Sequence, residues 1–478
     1  MGKTDARGTA LGVPTALTFR LNGRAVAIDD DAHQLSLLDF IRAQGLTGTK
    51  DGCAEGECGA CAVAMVDAHS TGGAQGGPGA RSEFRVVNSC LIALPLVAGR
   101  EILTIESLTA DGTLTAVQEA FAAAGGSQCG YCTPGFVMSL VAEQYRPDRT
   151  GPCSPDALSG NLCRCTGYRP IRDAAATLGP PAQGLLLDRL SRQTPRLGAC
   201  SAQGFSRPGT VADCLSLLEQ EPGATLVAGG TDLCLPENPR RRDVHLVSLE
   251  AIDELLEFSD GPDSVRIGAG LPLADIGRAW SRAPDAVREW LALFASPLVR
   301  HRATLGGNLV TASPIGDGAP LLLALDGRLH IAAPGGRRVV PMSSFFAGYR
   351  RAAIASNEVL TTIEIPKPLP RLLQFYKVTK RRLDDISTVA AAMAVETDEA
   401  GCVRRARFAF GGVAATPILI AEAEHAVRDH AWDVSAVERI QQILHDTLKP
   451  LSDHRGSHDY RREVSKALIE RFWWETRS

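Results

Sequence analysis

The sequence predicts an α+β chain of several domains. Its 478 residues, 45% of them hydrophobic, supply material for more than one core. At about 150 residues per domain the length suggests three or four domains. The pattern also changes character along the chain, from hairpin-like to helical to alternating strand and helix. The expected division is 14–107, small and mostly β; 108–182, helical; 183–203, a linker; 204–370, a larger α/β domain; and 371–478, strands followed by helices.

Composition excludes several classes. A formal charge of −4 with no long basic stripe argues against a nucleic-acid partner. No apolar run reaches the about eighteen residues of a membrane span. Thirteen cysteines are too sparse and uneven for a small disulfide-rich secreted protein, and MGKTDARGTALGVP carries no apolar signal core. A cytoplasmic, reduced chain is expected, and Arg240 to Arg242 read as a solvated loop.

In order, ALTFRLNG and RAVAID read as strands joined at Asn22-Gly23, a two-residue hairpin signal. LSLLDFIRAQG reads as a helix, and ACAVAMVD and EFRVVNSC as strands around the glycine-rich insert AHSTGGAQGGPGARS. LTAVQEAFAAAG, PGFVMSLVAEQY and SPDALSGNLC read as helical, and residues 179–208, rich in proline, glycine and polar side chains, as linker. TVADCLSLLEQEP, ATLVAGG, DVHLVSLE and SVRIGAG alternate helix and strand signals; EVLTTIEIPKP, TVAAAMAVETD and VRRARFAFGGV are strand-like, with helices after them.

Two cysteine tracts carry chemistry. Cys53, Cys58 and Cys61, with Cys90 farther on, follow the C-x4-C-x2-C…C order of plant-type ferredoxins. Iron needs soft, anionic donors at tetrahedral corners. Gly52, Gly56 and Gly59 let backbone N–H groups fold against the sulfurs of an anionic 2Fe-2S cluster. Zinc sites favour paired C-x2-C units or histidine partners, which this loop lacks. The second tract joins Cys129 and Cys132 of QCGYCTPG with Cys163 and Cys165 of GNLCRCTGYRP. Four thiols in two pairs close one metal site, and by themselves suit zinc as well.

A ferredoxin-type loop followed by CGYC and CRCTGY resembles the iron-sulfur segment of the xanthine oxidase family of molybdenum hydroxylases. The resemblance implies a β-grasp 2Fe-2S ferredoxin-like domain and a second 2Fe-2S cluster on a four-helix bundle. It also implies an FAD-binding α/β domain of the vanillyl-alcohol-oxidase type and an α+β flavoprotein C-terminal domain like that of CO dehydrogenase. Cys153, Cys200, Cys214, Cys234 and Cys402 match none of the family's ligand positions and read as core or surface thiols.

LVAGGTDL and RATLGGNLVTASPIGD resemble the family's flavin signatures. Taken alone, the first is a tight turn whose glycines could bring N–H groups against a pyrophosphate. The resemblance implies that Leu226, Val227, Ala228, Gly229, Gly230, Thr231, Asp232 and Leu233 hold the diphosphate and ribose. It places Thr304, Leu305, Gly306, Gly307 and Asn308 along the same cofactor, with Asp317 after them. Phe294, Leu360 and Lys377, the last in YKVTKRRLDDIS, would complete the site. Without the resemblance Phe294 is a core residue and Lys377 a solvated lysine. His301 departs from the family, where many relatives carry asparagine.

The implied function is that of the small, iron-sulfur/FAD subunit of a xanthine dehydrogenase. It relays electrons from a molybdenum centre on a molybdopterin-binding large subunit through both clusters to FAD and on to NAD+, as hypoxanthine and xanthine become urate. The second cluster would lie nearer molybdenum and the first nearer FAD. A dimer of heterodimers is expected, and no nucleophile or acid/base dyad within this chain. Competing expectations are the same relay serving an aldehyde, nicotinate or another N-heterocycle, and a non-catalytic protein with structural zinc.

Overall fold

A computed structural model describes residues 17–29, 32–69, 81–109, 112–181, 183–235, 238 and 244–477. Most of the glycine-rich insert, the N-terminal segment and Arg240 to Arg242 lie outside them.

The first unit is a mixed sheet in the order β2-β1-β5-β3-β4. It comprises β1 (Leu17–Leu21), β2 (Arg24–Ile28), β3 (Ala62–Ala68), β4 (Ser82–Asn88) and β5 (Glu101–Leu103), with α1 (Leu37–Ala43) against it. Asn22 and Gly23 both adopt positive φ, 50° and 80°, as a two-residue turn between twisted strands requires. Ser36 and Asp39 form a reciprocal capping box that fixes where α1 begins.

The helical unit holds α2 (Ala116–Ala123), α3 (Thr133–Gln144) and α4 (Arg169–Thr177). SPDALSGNLC, expected to be helical, forms only a 3-10 turn over Pro155–Leu158 before running into the second cysteine pair. The expected linker carries α5 (Leu185–Ser191) and the strand β6 (Cys200–Ala202).

The third unit continues with β7 (Phe205–Arg207), α6 (Val211–Gln220), β8 (Thr225–Val227) and β9 (Leu246–Ser248). In the sheet β6-β7-β9-β8, β9 runs parallel to both neighbours. Next come β10 (Phe258–Asp260), β11 (Ser264–Gly268), α7 (Leu273–Ala279), α8 (Asp285–Leu293), α9 (Pro297–Arg300), α10 (Leu305–Val310) and α11 (Gly318–Ala324). They are followed by β12 (Arg328–Ala333), β13 (Gly336–Pro341), the small hairpin of β14 (Phe346–Gly348) and β15 (Arg351–Ala352), and β16 (Val359–Pro366). The second sheet is β10-β11-β16-β12-β13, antiparallel throughout.

The last unit is the antiparallel sheet of β17 (Leu372–Val378), β18 (Val389–Thr397), β19 (Val403–Gly411) and β20 (Ile418–Leu419). Three helices cover it: α12 (Ala421–Val427), α13 (Val434–Thr447) and α14 (His458–Thr476). Ala390, Ala392 and Ala394 of β18 join the core of the third unit with α11, while Ala391, Met393 and Val395 join the C-terminal core. The period of two puts alternate side chains on opposite faces, and small residues let α11 lie close. No helix among the described residues is long and apolar enough to cross a membrane.

Candidate electron-transfer and flavin site

The first cysteine loop is forced tight by its own backbone. Ala54, Gly56 and Gly59 have φ of 56°, 80° and 65°, a region where glycine carries no steric penalty. A Cβ on Gly56 would lie 2.3 Å from Leu91, and one on Gly52 2.7 Å from the Cys58 sulfur. The buried Asn88 amide donates to the Gly56 carbonyl at 2.7 Å, anchoring the loop to the end of β4.

The four thiols meet two by two. Cys61 and Cys90 are buried with sulfurs 3.3 Å apart, and Cys53 shares a hydrogen bond with Cys58. That bond brings the Cys53 thiol down to about 5 against burial, with help from backbone N–H groups of Glu55, Glu57 and Cys58, while its partner Cys58 is pushed up. In the same way Cys61 is lowered and Cys90 raised by their shared proton.

The second tract repeats the arrangement: Cys132 pairs with Cys163, and Cys129 with Cys165. Cys132 immediately precedes α3 without a capping side-chain bond, Cys163 is buried, and Cys129 and Cys165 are exposed. Burial, and then Cys163, push the Cys132 thiol up to about 12. At Cys163 burial is outweighed by hydrogen bonds from Thr166, whose N–H lies 3.4 Å from the sulfur, so its thiol is lowered. Among the described residues the thiols meet only in pairs, with no group of three or more metal-ligating side chains arranged to hold an ion; a dinuclear iron core, which takes two thiolates on each iron, suits such pairs.

The two loops touch. Leu162 N–H donates to the Cys58 carbonyl at 3.0 Å, Asn161 Nδ2 donates to the Gly59 carbonyl at 3.1 Å, and the Tyr131 hydroxyl donates to the Asp51 carbonyl. On the flavin side, Glu57 forms an ion pair at 3.3 Å with Arg381, in the loop after β17. A Cβ on Gly160 would meet Ser296 at 2.8 Å, so the second tract also abuts the third unit.

The residues expected at the flavin lie on β8 and the loop after it, at the end of α8, on α10 and its cap, at the start of α11, and on β16 and β17. Leu226 and Val227 end β8, and Ala228 to Leu233 form the loop after it. Gly229 packs so closely on the next tract that a Cβ would lie 1.8 Å from the Arg302 carbonyl. Gly230, at φ 76°, accepts from Cys234 N–H. Thr304 caps α10 by accepting from Gly307 N–H at 3.0 Å, Leu305 and Gly306 are buried, and the Asn308 carbonyl oxygen accepts from Gly318 N–H at 3.1 Å. Phe294 and Leu360 share the core with Leu305; Phe294 stands edge-on to Trp290, centroids 5.7 Å apart.

Lys377 is not solvated. Its side chain is 3% exposed, and Nζ donates to Asp317 Oδ2 at 2.7 Å and to the Leu293 carbonyl at 2.9 Å. The Ser387 hydroxyl takes the other Asp317 oxygen, and Trp290 Nε1 donates to the Asp317 carbonyl at 3.0 Å. Asp317 therefore ties the third unit to the last sheet. Gly229 and Gly56 each have no room for a side chain, against the Arg302 carbonyl and Leu91 respectively.

Sequence reasoning missed a buried ion network between the first and third units. Arg85 bonds Asp275 with both nitrogens at 2.8 Å and Glu83 at 2.7 Å. Glu83 also meets Arg278 at 2.8 Å and His69 at 3.1 Å, while Glu250 joins Arg100 and Arg302. Burial disfavours the Glu83 carboxylate, yet Arg85, His69 and Arg278 hold it well below the usual carboxylate range. A cavity of about 50 Å³ lies beside this network, lined in part by Arg85, Arg302, Gly229 and Thr304. Nothing in sequence links these residues, since Arg85 and Asp275 are 190 positions apart.

Two cysteine tracts on one chain, each bringing its thiols together in pairs, point to iron-sulfur chemistry. Comparison with known proteins agrees, domain by domain and in chain order. The families matched are a 2Fe-2S iron-sulfur cluster binding domain over 19–94 and a [2Fe-2S] binding domain over 104–176. They continue with an FAD binding domain in molybdopterin dehydrogenase over 200–368 and a CO dehydrogenase flavoprotein C-terminal domain over 374–476.

The chain thus carries two 2Fe-2S domains, an FAD-binding domain of the kind found in molybdopterin dehydrogenases and a flavoprotein C-terminal domain. It is 30% identical to xanthine dehydrogenase of Emericella nidulans over 97% of its own length and 39% of the relative's. For xanthine dehydrogenase of Drosophila pseudoobscura pseudoobscura the figures are 32%, 95% and 38%. A nicotinate hydroxylase of Emericella nidulans is 28% identical over 96% of this chain and 40% of its own. The chain thus spans about two fifths of the curated relatives it matches. Among solved structures, CO dehydrogenase from Oligotropha carboxidovorans aligns with a TM-score of 0.52 at 28% identity, covering 55% of this chain and 94% of that one. Quinoline 2-oxidoreductase from Pseudomonas putida 86 aligns with a TM-score of 0.51 at 27% identity, covering 56% and 94%.

Proposed function

We propose that the chain is the iron-sulfur/FAD subunit of a xanthine dehydrogenase, working in the cytoplasm beside a molybdopterin-binding large subunit in a dimer of heterodimers. When bound, the clusters supply one-electron carriers and FAD the conversion to hydride transfer with NAD+, the chemistry by which hypoxanthine and xanthine reach urate. Cys53, Cys58, Cys61 and Cys90 hold one cluster; Cys129, Cys132, Cys163 and Cys165 hold the other. Residues Leu226 to Leu233 bind the diphosphate and ribose, Thr304 to Asn308 lie along the same cofactor, and Lys377, held by Asp317, presents a fixed cation at the flavin. Phe294 and Leu360 supply apolar walls that exclude water. The pairing of thiols two by two, in loops that touch each other and the flavin domain, carries this reading.

A second reading keeps the relay and changes the substrate to nicotinate, in line with the similarity to a nicotinate hydroxylase. The test is anaerobic reduction of the chain co-purified with the product of its neighbouring gene, using xanthine, nicotinate and NADH in turn. Bleaching of the flavin by xanthine and by NADH supports the proposal. Bleaching by nicotinate and not xanthine replaces the substrate, and no response to NADH removes NAD+ as acceptor.

A further inference from the structure

Arg302 grips Gly229 from two sides. Its carbonyl stands 1.8 Å from where a Gly229 Cβ would fall, and its side-chain Nε donates to the Gly229 carbonyl at 3.3 Å. The residue is 4% exposed, and its Nη2 has no hydrogen-bond partner among the described residues. Burying a guanidinium with a donor left over costs stability, which an apolar side chain of similar length would avoid. Packing alone therefore does not account for arginine at this position.

The guanidinium is braced from behind. Nη1 donates to Glu250, whose Oε1 also accepts from Arg100 Nη2 of the first unit at 2.7 Å. Ser248 pairs with Val227 in the ladder of β8 and β9, and Leu249 N–H donates to the Val227 carbonyl at 2.9 Å. Glu250 and the turn after β8 are thus fixed to the same strand pair, and Arg302 bridges them. The peptide it holds joins two glycines, Gly229 and Gly230, the second at φ 76°. With no Cβ at either end, the plane of such a peptide turns over at little cost. The bond is trans, so holding the carbonyl toward Arg302 points the Gly230 N–H to the opposite side. Among the described residues no acceptor meets that N–H.

We propose that Arg302 is the positioning residue of the turn after β8: braced by Glu250 and by Arg100 of the first unit, it holds the Gly229 carbonyl and so commits the Gly230 N–H to an anionic ligand, the diphosphate of a dinucleotide. The proposal rests on the reading that this turn binds the diphosphate of FAD. Neither LVAGGTDL nor TLGGN carries a lysine or arginine, so backbone N–H groups must supply the attraction. Turned over, the same peptide would present a carbonyl oxygen, with its partial negative charge, to the phosphates. The hydrogen bond from Arg302 decides between the two.

The test uses the full chain, stripped of flavin and titrated with FAD. Flavin fluorescence gives the Kd, and hydrogen exchange with and without saturating FAD maps protection over 226–233 and 304–308. Arg302→Met keeps an unbranched stem and removes every donor; Arg302→Lys keeps one charged donor. The Kd is expected to rise about tenfold in Arg302→Met, as loss of one charge-assisted hydrogen bond implies, and about threefold in Arg302→Lys. At saturating FAD, Arg302→Met loses the protection of 226–233 and keeps that of 304–308. Glu250→Gln, which weakens the brace and leaves Arg302 in place, is the milder variant, with the same loss of protection in part. Parent-like affinity in Arg302→Met, equal weakening in Arg302→Met and Arg302→Lys, or loss of protection over both tracts alike would overturn the positioning role. Unchanged protection in Glu250→Gln would overturn the brace. FAD bound to the parent chain without protecting 226–233 would instead remove the reading of the turn on which the proposal rests.

Discussion

Replacing His301 by asparagine should flatten the dependence of stability on pH. The His301 ring places Nδ1 2.8 Å from the Val86 carbonyl, so that nitrogen carries the proton and donates. Burial first, and then the Arg85 guanidinium, lower its pKa from 6.5 to about 4. The folded chain therefore keeps His301 neutral while the unfolded chain takes up a proton below its ordinary value. Between those two values the unfolded state binds more protons, so stability falls as pH drops through the window and levels off below it. From about pH 7.5 to about pH 5.5 the loss attributable to His301 is about 1 kcal/mol. His69, raised by its bond to Glu83 against the lowering effect of burial, works the other way: its contribution is present at low pH and lost as pH rises. It is common to both proteins and cancels. Asparagine can still donate to Val86. Urea unfolding of parent and variant at the two pH values measures the effect, and equal pH slopes would refute the reasoning.

Three further outcomes follow from the same geometry. Lys377→Met leaves the Asp317 carboxylate buried without its cation; a loss of about 3–5 kcal/mol in the unfolding of the last domain is expected, together with loss of FAD on gel filtration. Gly229→Ala places a methyl 1.8 Å from the Arg302 carbonyl, so the chain should purify with its iron and with a reduced flavin-to-iron ratio, read by absorbance and iron assay. Cys61→Ser should abolish one paramagnetic signal and Cys165→Ser the other, each leaving its neighbour's spectrum intact.

How much of this was legible in the sequence depended on distance along the chain. The cysteine loops were readable because ligands and their enabling glycines are contiguous, and the loop geometry follows from that spacing. The role of Lys377 was not readable from composition, since its partner Asp317 lies 60 positions away and an isolated lysine reads as solvated; the family resemblance alone pointed to it. SPDALSGNLC looked helical by pattern. Its helix stops after one 3-10 turn because Gly160 is pressed against Ser296 and Asn161 is drawn to Gly59, tertiary contacts that no local pattern reports. α5, of seven residues between Gly184 and Arg192, is too short for a period of 3.6 to stand out in a polar stretch. The Arg85 network couples strands and helices of different units, so it was invisible until they packed. His301 was visible as a departure from the family; its bond to Val86 supplies the physical content.

That one chain holds two dissimilar 2Fe-2S clusters beside a flavin is the reading on which the rest depends. Its most direct test is the metal and flavin content of the purified chain, with electron paramagnetic resonance after anaerobic reduction by dithionite. About four irons and one FAD per chain are expected, with two distinct signals, one from a set of buried and half-buried thiols and one from a set that includes the exposed Cys129 and Cys165. A colourless chain with bound zinc and no signal would contradict it.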